Sequence, residues 1–192
     1  MNASNPLKGE RKAGSVGKAL KGTSIRITSI GENNLSDINE PGMIEIKGPN
    51  VFTGYLNKPG KTKEAFTNDE YFITGDMGYF DKEGYLFISG RNKDLIISGG
   101  YNVYPKEIED IINQFDGIIE SAVFGLSDDD LGEIPTAAIV ANENNFNLDD
   151  LKKFIQENLA RYKVPKKYFL ISELPRNVMG KVQKNILKDQ YS

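Results

Sequence analysis

Hydrophobic and polar residues alternate along the first half of the chain with the two-residue period of half-buried β-strands. The alternation is clearest in residues 24–30, 43–47 and 85–89. A short helix is expected over residues 59–66, because the proline at its start has no N–H to lose in the first turn. We therefore predict an antiparallel or barrel-like β unit, preceded by an irregular lead-in at residues 1–15.

The pattern changes near residue 91 to the three- and four-residue spacing of amphipathic helices. One helix is expected to open at Pro105 and to end before Gly117. Its apolar stripe consists of Ile108, Ile111, Ile112 and Phe115. A second helix is expected over residues 148–162, with Asn147 as its N-cap and Pro165 at its end.

Short apolar runs predict strands at residues 118–125, 136–141 and 168–172. Strands mixed with helices in this way are typical of a compact α+β domain. The predicted fold class is therefore α+β. A small β-rich, distorted barrel-like subdomain over residues 1–92 is followed by a compact α+β domain over residues 93–192.

The composition excludes several kinds of chemistry, since the 192 residues include no Cys, no His and no Trp. Catalytic Ser-His-Asp and Cys-His systems, zinc fingers and disulfides are ruled out. There is no apolar run of about 18 residues, and the polar amino terminus lacks the apolar core of a signal peptide. We expect a cytoplasmic protein that does not bind membranes.

The net charge of −3 conceals a segregated distribution. Residues 93–160 carry 4 basic and 14 acidic side chains, whereas residues 161–192 carry 8 basic and 2 acidic ones. Such a basic tail favours a polyanionic ligand such as a nucleotide phosphate, although a solvated basic face has the same composition. Nucleic acid is not expected, because the basic residues are not interleaved with stacking aromatic residues.

Three glycine-containing segments are candidates for chemistry. In residues 74–78, Asp76 lies between two glycines, and its carboxylate could accept hydrogen bonds from two vicinal ribose hydroxyls. A turn in which the aspartate bonds its own backbone explains the same pattern. In residues 90–105, a polar stretch at the predicted domain junction is typical of a hinge. Gly99 and Gly100 in that segment permit either close approach to a ligand or a tight turn.

The third segment, residues 174–185, is a loop that presents Lys181 before a final helix. The pattern of a phosphate-binding P-loop is not met, because Val182 follows the lysine. The loop indicates an ammonium delivered to a site elsewhere, and an exposed lysine without a role gives the same pattern.

Together, these segments resemble the carboxyl-terminal part of the adenylate-forming superfamily of acyl-CoA synthetases, luciferases and peptide-synthetase adenylation domains. The resemblance is carried by Gly54-Tyr55-Leu56-Asn57-Lys58-Pro59, Phe72-Ile73-Thr74-Gly75-Asp76, Gly90-Arg91-Asn92-Lys93-Asp94, Pro105-Lys106-Glu107-Ile108-Glu109 and Gly180-Lys181. Within the superfamily, residues 99–106 and 174–185 are most similar to malonyl-CoA synthetases.

The resemblance implies a ligase with a carboxylic acid, ATP and CoA as substrates. The acid attacks the α-phosphate to give an acyl-adenylate and pyrophosphate, and the CoA thiol then displaces AMP. Lys181 would serve the first step as the catalytic residue. The other implied roles are nucleotide binding for Asp76, Arg91 and Asn102, a hinge at Lys93, and CoA binding for Gly99 and Gly100.

The resemblance also implies that a large amino-terminal adenylation domain is missing, with its phosphate loop, acyl pocket and magnesium ligand upstream of Met1. Residues 1–92 would be the end of that domain, and residues 93–192 a mobile lid that ligates no metal. We therefore expect a segment of an acid–CoA ligase of fatty acid metabolism that is inactive alone. The competing expectation is a non-catalytic binding or partner module that retained the lid fold.

Overall fold

The computed structural model describes residues 1–31, 34–142 and 146–192. The chain divides into two compact units, Met1–Lys93 and Asp94–Ser192. Strands and helices together confirm the predicted α+β class. Among the described residues, no helix is long and apolar enough to span a membrane.

The described residues of the first unit include a curled antiparallel sheet of six strands in the spatial order β1-β2-β6-β5-β4-β3. The strands are β1 (Ala3–Ser4), β2 (Ser15–Ala19), β3 (Ser24–Thr28), β4 (Gly42–Lys47), β5 (Phe72–Phe80) and β6 (Leu86–Arg91). Helix α1 (Pro59–Ala65) begins at its proline, as predicted. The alternating apolar residues pack into one cluster that contains Ile27, Ile44, Ile46 and Leu86. Periodicity therefore identified β3, β4 and β6 correctly, but it missed β2 and also β5, which lies between β4 and β6 in the sheet.

The irregular lead-in predicted for residues 1–15 is wrong in part, because β1 pairs with β2 in an antiparallel ladder. The two strands approach very closely: a Cβ added at Gly17 would lie 2.0 Å from the carbonyl carbon of Ser4. The Asn5 side chain also donates to the backbone oxygen of Ser15 at 3.2 Å. A two-residue strand is too short to show any alternation, so the sequence pattern could not reveal it.

An ion-pair group lies on the surface of this unit around Arg26. The guanidinium donates to Asp69 at 2.5 and 2.9 Å and to Glu45 at 2.6 Å. It also lies over the Tyr71 ring, 3.9 Å from the ring centroid. Hydrogen bonding from Arg26 lowers the pKa of Asp69 from 3.8 to about 2.

This lowered pKa predicts a specific acid sensitivity. Because the ionised form of Asp69 is favoured in the folded state, its contribution to stability is complete above pH 3.8 and is lost as the pH falls towards about 2. Thermal unfolding midpoints measured between pH 5 and pH 2 should therefore fall less steeply for Asp69→Asn than for the unsubstituted chain. Parallel curves would show that the pair contributes nothing.

The described residues of the second unit form five strands and three α-helices. The strands are β7 (Ile96–Ser98), β8 (Tyr101–Val103), β9 (Ile118–Asp128), β10 (Gly132–Ala141) and β11 (Lys167–Leu170). The helices are α2 (Pro105–Ile112), α3 (Leu148–Asn158) and α4 (Lys184–Tyr191). Strand β10 is central, since it pairs antiparallel with β9 and β7 and parallel with β11.

Both faces of the central strand β10 are covered. Ala137 and Ile139 belong to an apolar cluster with the stripes of α2 and α3, whereas Ala138 belongs to a second cluster with Leu187 of α4. Because successive side chains of a strand point to opposite faces, α2 and α3 cover one face and α4 covers the other. This explains why β10 is almost continuously apolar rather than alternating.

Helix α3 is shorter than predicted. Asn147 is the N-cap as expected, and its Oδ1 accepts from the backbone N–H groups of Asp149 and Asp150 at 2.8 and 3.2 Å. The helix ends at Asn158 rather than near residue 162, because Leu159 adopts an extended backbone. A short 3-10 turn, Arg161–Lys163, follows.

Candidate functional site

Asp76 and Arg91 form a cross-strand pair in the first unit. They are register partners on β5 and β6, and the Nε of Arg91 lies 2.8 Å from Oδ1 of Asp76. The backbone N–H of Asp76 donates to the Thr74 hydroxyl, which itself donates to the carbonyl oxygen of Ile44. The turn alternative for residues 74–78 is therefore wrong, because the segment lies within β5. Both side chains remain partly exposed, so the carboxylate is accessible to a ligand.

Lys93 lies in a 3-10 turn, Asn92–Asp94, and is the last residue of the first unit. Its role as a hinge remains a prediction.

Gly99 and Gly100 form the turn that joins β7 to β8, which we call the glycine turn. Their φ angles are +57° and +82°, and two successive residues with positive φ are typical of a tight two-residue hairpin. The N–H of Gly99 donates to the carbonyl oxygen of Leu131 at 2.9 Å. The tight-turn explanation is thus correct for the backbone. The tight turn is also compatible with ligand contact, since both glycines are exposed and have no side chains.

Two exposed features lie beside the glycine turn on the same hairpin. Asn102 is exposed on β8, opposite Ile97 of β7. The ring of Tyr101 stacks on Tyr162 with centroids 4.6 Å apart. Tyr162 lies in the 3-10 turn Arg161–Lys163 that follows α3.

The loop of residues 176–182, which we call the Lys181 loop, is ordered by hydrogen bonds of its own. Oδ1 of Asn177 accepts from the backbone N–H groups of Met179 and Lys181, both at 3.0 Å. The Asn177 N–H donates to the Lys181 carbonyl oxygen at 2.9 Å, and Arg176 donates to the Gly180 oxygen at 2.8 Å. The backbone that carries Lys181 is therefore held in a defined shape.

The charge segregation seen in the sequence is explained in part by pairing within the second unit. Four basic residues of the tail each contact a glutamate of the acidic block. The pairs are Lys163 with Glu107, Arg176 with Glu120, Lys184 with Glu109 and Lys188 with Glu133. Half of the basic side chains in residues 161–192 are therefore already neutralised by the protein itself.

Lys181 differs from its neighbours in the tail. Its side chain is exposed, and within residues 1–31, 34–142 and 146–192 it makes no ion pair. Arg176 and Lys184, on either side of it, are both paired with glutamates. The fold thus leaves the ammonium of Lys181 available for an anionic ligand while the loop backbone is fixed.

Within residues 1–31, 34–142 and 146–192, no group of three or more Asp or Glu side chains is arranged to hold a metal ion.

Comparison with known proteins identifies the domain. Residues 107–181 match the AMP-binding enzyme C-terminal domain. The chain is also 44% identical over 181 residues to 2-succinylbenzoate–CoA ligase from Listeria monocytogenes. Residues 107–181 are an AMP-binding enzyme C-terminal domain. Lys181 is the last residue of the region that matches this domain.

Two further relatives are covered to a similar extent. Long-chain-fatty-acid–CoA ligase FadD13 from Mycobacterium tuberculosis is 43% identical over 182 residues, which is 95% of this chain and 36% of FadD13. The alignment with the Listeria ligase covers 94% of this chain and 36% of that protein. The ATP-bound structure of MatB from Rhodopseudomonas palustris superposes with a TM-score of 0.93 at 47% identity, covering all of this chain and 38% of MatB. The chain thus spans little more than a third of these relatives.

The structure reveals contacts around the predicted site residues that sequence reasoning missed. The principal contacts are the ion pairs of Glu120 with Arg176 and of Glu133 with Lys188, which lie on either side of Lys181 in the sequence. Asn177 lies within residues 174–185, which the sequence predicts to be a loop, but no role was predicted for it. A signal for its role existed, because an asparagine before a glycine-containing loop often bonds the backbone two residues ahead.

Proposed function

We propose that this chain is the carboxyl-terminal segment of an ATP-dependent acid–CoA ligase, and that Lys181 serves its acyl-adenylate step. The observation that carries the proposal is the exposed ammonium of Lys181, which makes no ion pair with the described residues, on a loop whose backbone is fixed. Attack of a carboxylate on the α-phosphate brings two anions together. An ammonium placed between them offsets their repulsion and stabilises the charge that develops in the transition state.

Asp76 and Arg91 are the residues that we assign to the ribose. Arg91 contacts Oδ1 of Asp76, and this contact orients the carboxylate while Oδ2 stays available to accept from a hydroxyl. Hydrogen bonds to a charged acceptor contribute about 1.5–3 kcal/mol each, enough to anchor a nucleotide. Asn102, exposed on β8, is assigned to the same nucleotide.

The glycine turn is the element that we assign to CoA. A narrow pantetheine chain can pass close to a backbone that carries no side chains, and both glycines are exposed. We propose that Lys93 is the hinge between the two steps. Residues 1–92 would then belong to the large adenylation domain and residues 93–192 to the mobile domain that presents first Lys181 and then the glycine turn.

Malonate is the acid that we propose as the substrate. The support is the 47% identity to MatB, a malonyl-CoA synthetase, over the whole chain. The acyl pocket itself would lie in the large domain, upstream of this chain.

The cytoplasm is the compartment that we propose, because ATP and CoA are available there.

A chimera tests this proposal. This chain replaces the matching carboxyl-terminal 38% of MatB from Rhodopseudomonas palustris, and acyl-CoA formation from malonate, ATP and CoA is measured. A chimera within about tenfold of MatB supports a ligase segment. An inactive but folded chimera, beside an active MatB control, contradicts it and favours the non-catalytic binding module.

The malonate assignment needs a second chimera, made with the large domain of the Listeria 2-succinylbenzoate–CoA ligase. If this chain belongs with malonate-activating domains, it should restore a larger fraction of parental activity to MatB than to the Listeria enzyme. Equal fractions would remove the support for malonate and leave the ligase assignment intact.

A further inference from the structure

Glu133 connects three elements of the second unit. Its Oε2 accepts from the backbone N–H of Ile97 on β7 at 3.2 Å, and its Oε1 accepts from Nζ of Lys188 on α4 at 2.8 Å. The side chain lies across β9 at Gly125, where an added Cβ would meet the carboxylate carbon at 2.9 Å. One carboxylate thus joins the strand before the glycine turn to the helix after the Lys181 loop.

On the edge that faces β10, the described residues give strand β7 few other backbone contacts. Its ladder with β10 consists of the single register pair Ser98 and Gly132. Beyond that pair, the glycine turn is held by the bond from the N–H of Gly99 to the carbonyl oxygen of Leu131. On its other edge β7 pairs with β8 through three register pairs, so the contacts on the β10 edge decide where the hairpin as a whole lies on the sheet. The Ile97 bond to Glu133 therefore has a disproportionate effect on where the glycine turn lies.

We propose that Glu133 is a positioning residue for the glycine turn, acting through the N–H of Ile97, and so sets the rate of thioester formation. The inference rests on the proposed function, because only there does the turn contact CoA. Glu133 itself touches no substrate. Lys188 keeps the carboxylate in place, and Gly125 leaves the space that the carboxylate needs.

Two substitutions disturb this arrangement in different ways. Glu133→Ala removes the acceptor. Gly125→Ala keeps the carboxylate but pushes it aside, at little cost to the fold, because the atoms that would clash are the far end of a flexible side chain. Glu133→Gln retains an oxygen that can accept from Ile97 and should rescue the function. Glu157→Ala removes an exposed carboxylate from α3 and is the matched control.

The first measurement is amide hydrogen exchange in the 192-residue chain. Glu133→Ala and Gly125→Ala should each speed exchange at Ile97 and Gly99 by about tenfold or more, while Glu133→Gln and Glu157→Ala change it by less than about threefold. Unchanged exchange in Glu133→Ala overturns the inference, whatever the chimera does.

The second measurement uses the MatB chimera and separates the two half-reactions. Glu133→Ala should slow thioester formation from preformed acyl-adenylate by about tenfold and leave pyrophosphate exchange within about twofold. Equal losses in both steps would indicate a merely structural role and contradict the inference. If the unsubstituted chimera forms no thioester, the proposed function fails, and hydrogen exchange still decides whether Glu133 holds the turn.

Discussion

Lys181→Ala in the MatB chimera should lower the rate of acyl-adenylate formation by about 10²–10³-fold. This is the usual effect of removing one group that stabilises charge in a transition state. The loop should keep its shape, because Asn177 bonds the backbone of Lys181 rather than its side chain. The rate is read from pyrophosphate release in a single turnover without CoA.

The control for this prediction is Lys153→Ala, which removes an exposed lysine of α3 that only approaches Asp150 of its own helix at 3.6 Å. Its rate should stay within about twofold, since such surface pairs contribute little. Thioester formation from added acyl-adenylate should survive in Lys181→Ala, because the ammonium is assigned to the first step alone. A Lys181→Ala variant that still adenylates at the unsubstituted rate would remove Lys181 from the mechanism.

Ile108→Ala should lower the free energy of unfolding by about 2–5 kcal/mol, the range observed when a large buried aliphatic side chain is truncated. Ile108 is 0% exposed and lies on α2 in the cluster that also contains Leu151 and Ile155 of α3. The lost packing leaves a cavity where the two helices meet the sheet. Denaturant unfolding followed by circular dichroism measures the change.

Ile119→Ala is the matched control, because Ile119 is 67% exposed. Its free energy of unfolding should change by less than about 0.5 kcal/mol. Similar losses for the two variants would contradict the assignment of Ile108 to the core.

The regular parts of this fold were predictable because their residues repeat. The stripe of Ile108, Ile111 and Ile112 has a helical period, and the structure forms a helix there. The alternation in residues 24–30 and 43–47 corresponds to β3 and β4. The hairpin of β7 and β8 was missed, because strands of three residues offer too few positions for a period to show.

The contacts around Lys181 were not predictable from local sequence. Arg176 and Glu120 are 56 positions apart, and Lys188 and Glu133 are 55 apart. Such residues come together only when the sheet folds. The sequence alone therefore did not show that basic residues of the tail form ion pairs with glutamates. The structure shows that four of the eight basic side chains of the tail are paired with glutamates, and Lys181 is among the four that make no ion pair within the described residues.

Strand register shows that Asp76 and Arg91, which were predicted separately, are neighbours. The sequence places them in two separate motifs, and the resemblance implies a shared ribose. The antiparallel pairing of β5 with β6 puts the two side chains in direct contact, a relation that follows from strand register and not from either motif. Their role at a nucleotide stays a prediction.

The most direct test of the account is malonate-dependent exchange of pyrophosphate into ATP, measured side by side on the 192-residue chain and on its chimera with the large domain of MatB. The account predicts exchange by the chimera and none by the chain alone, because we propose that this segment supplies Lys181 while the phosphate loop and the acyl pocket lie in the large domain. Exchange by the chain alone, or a folded chimera that exchanges none beside active MatB, would contradict it.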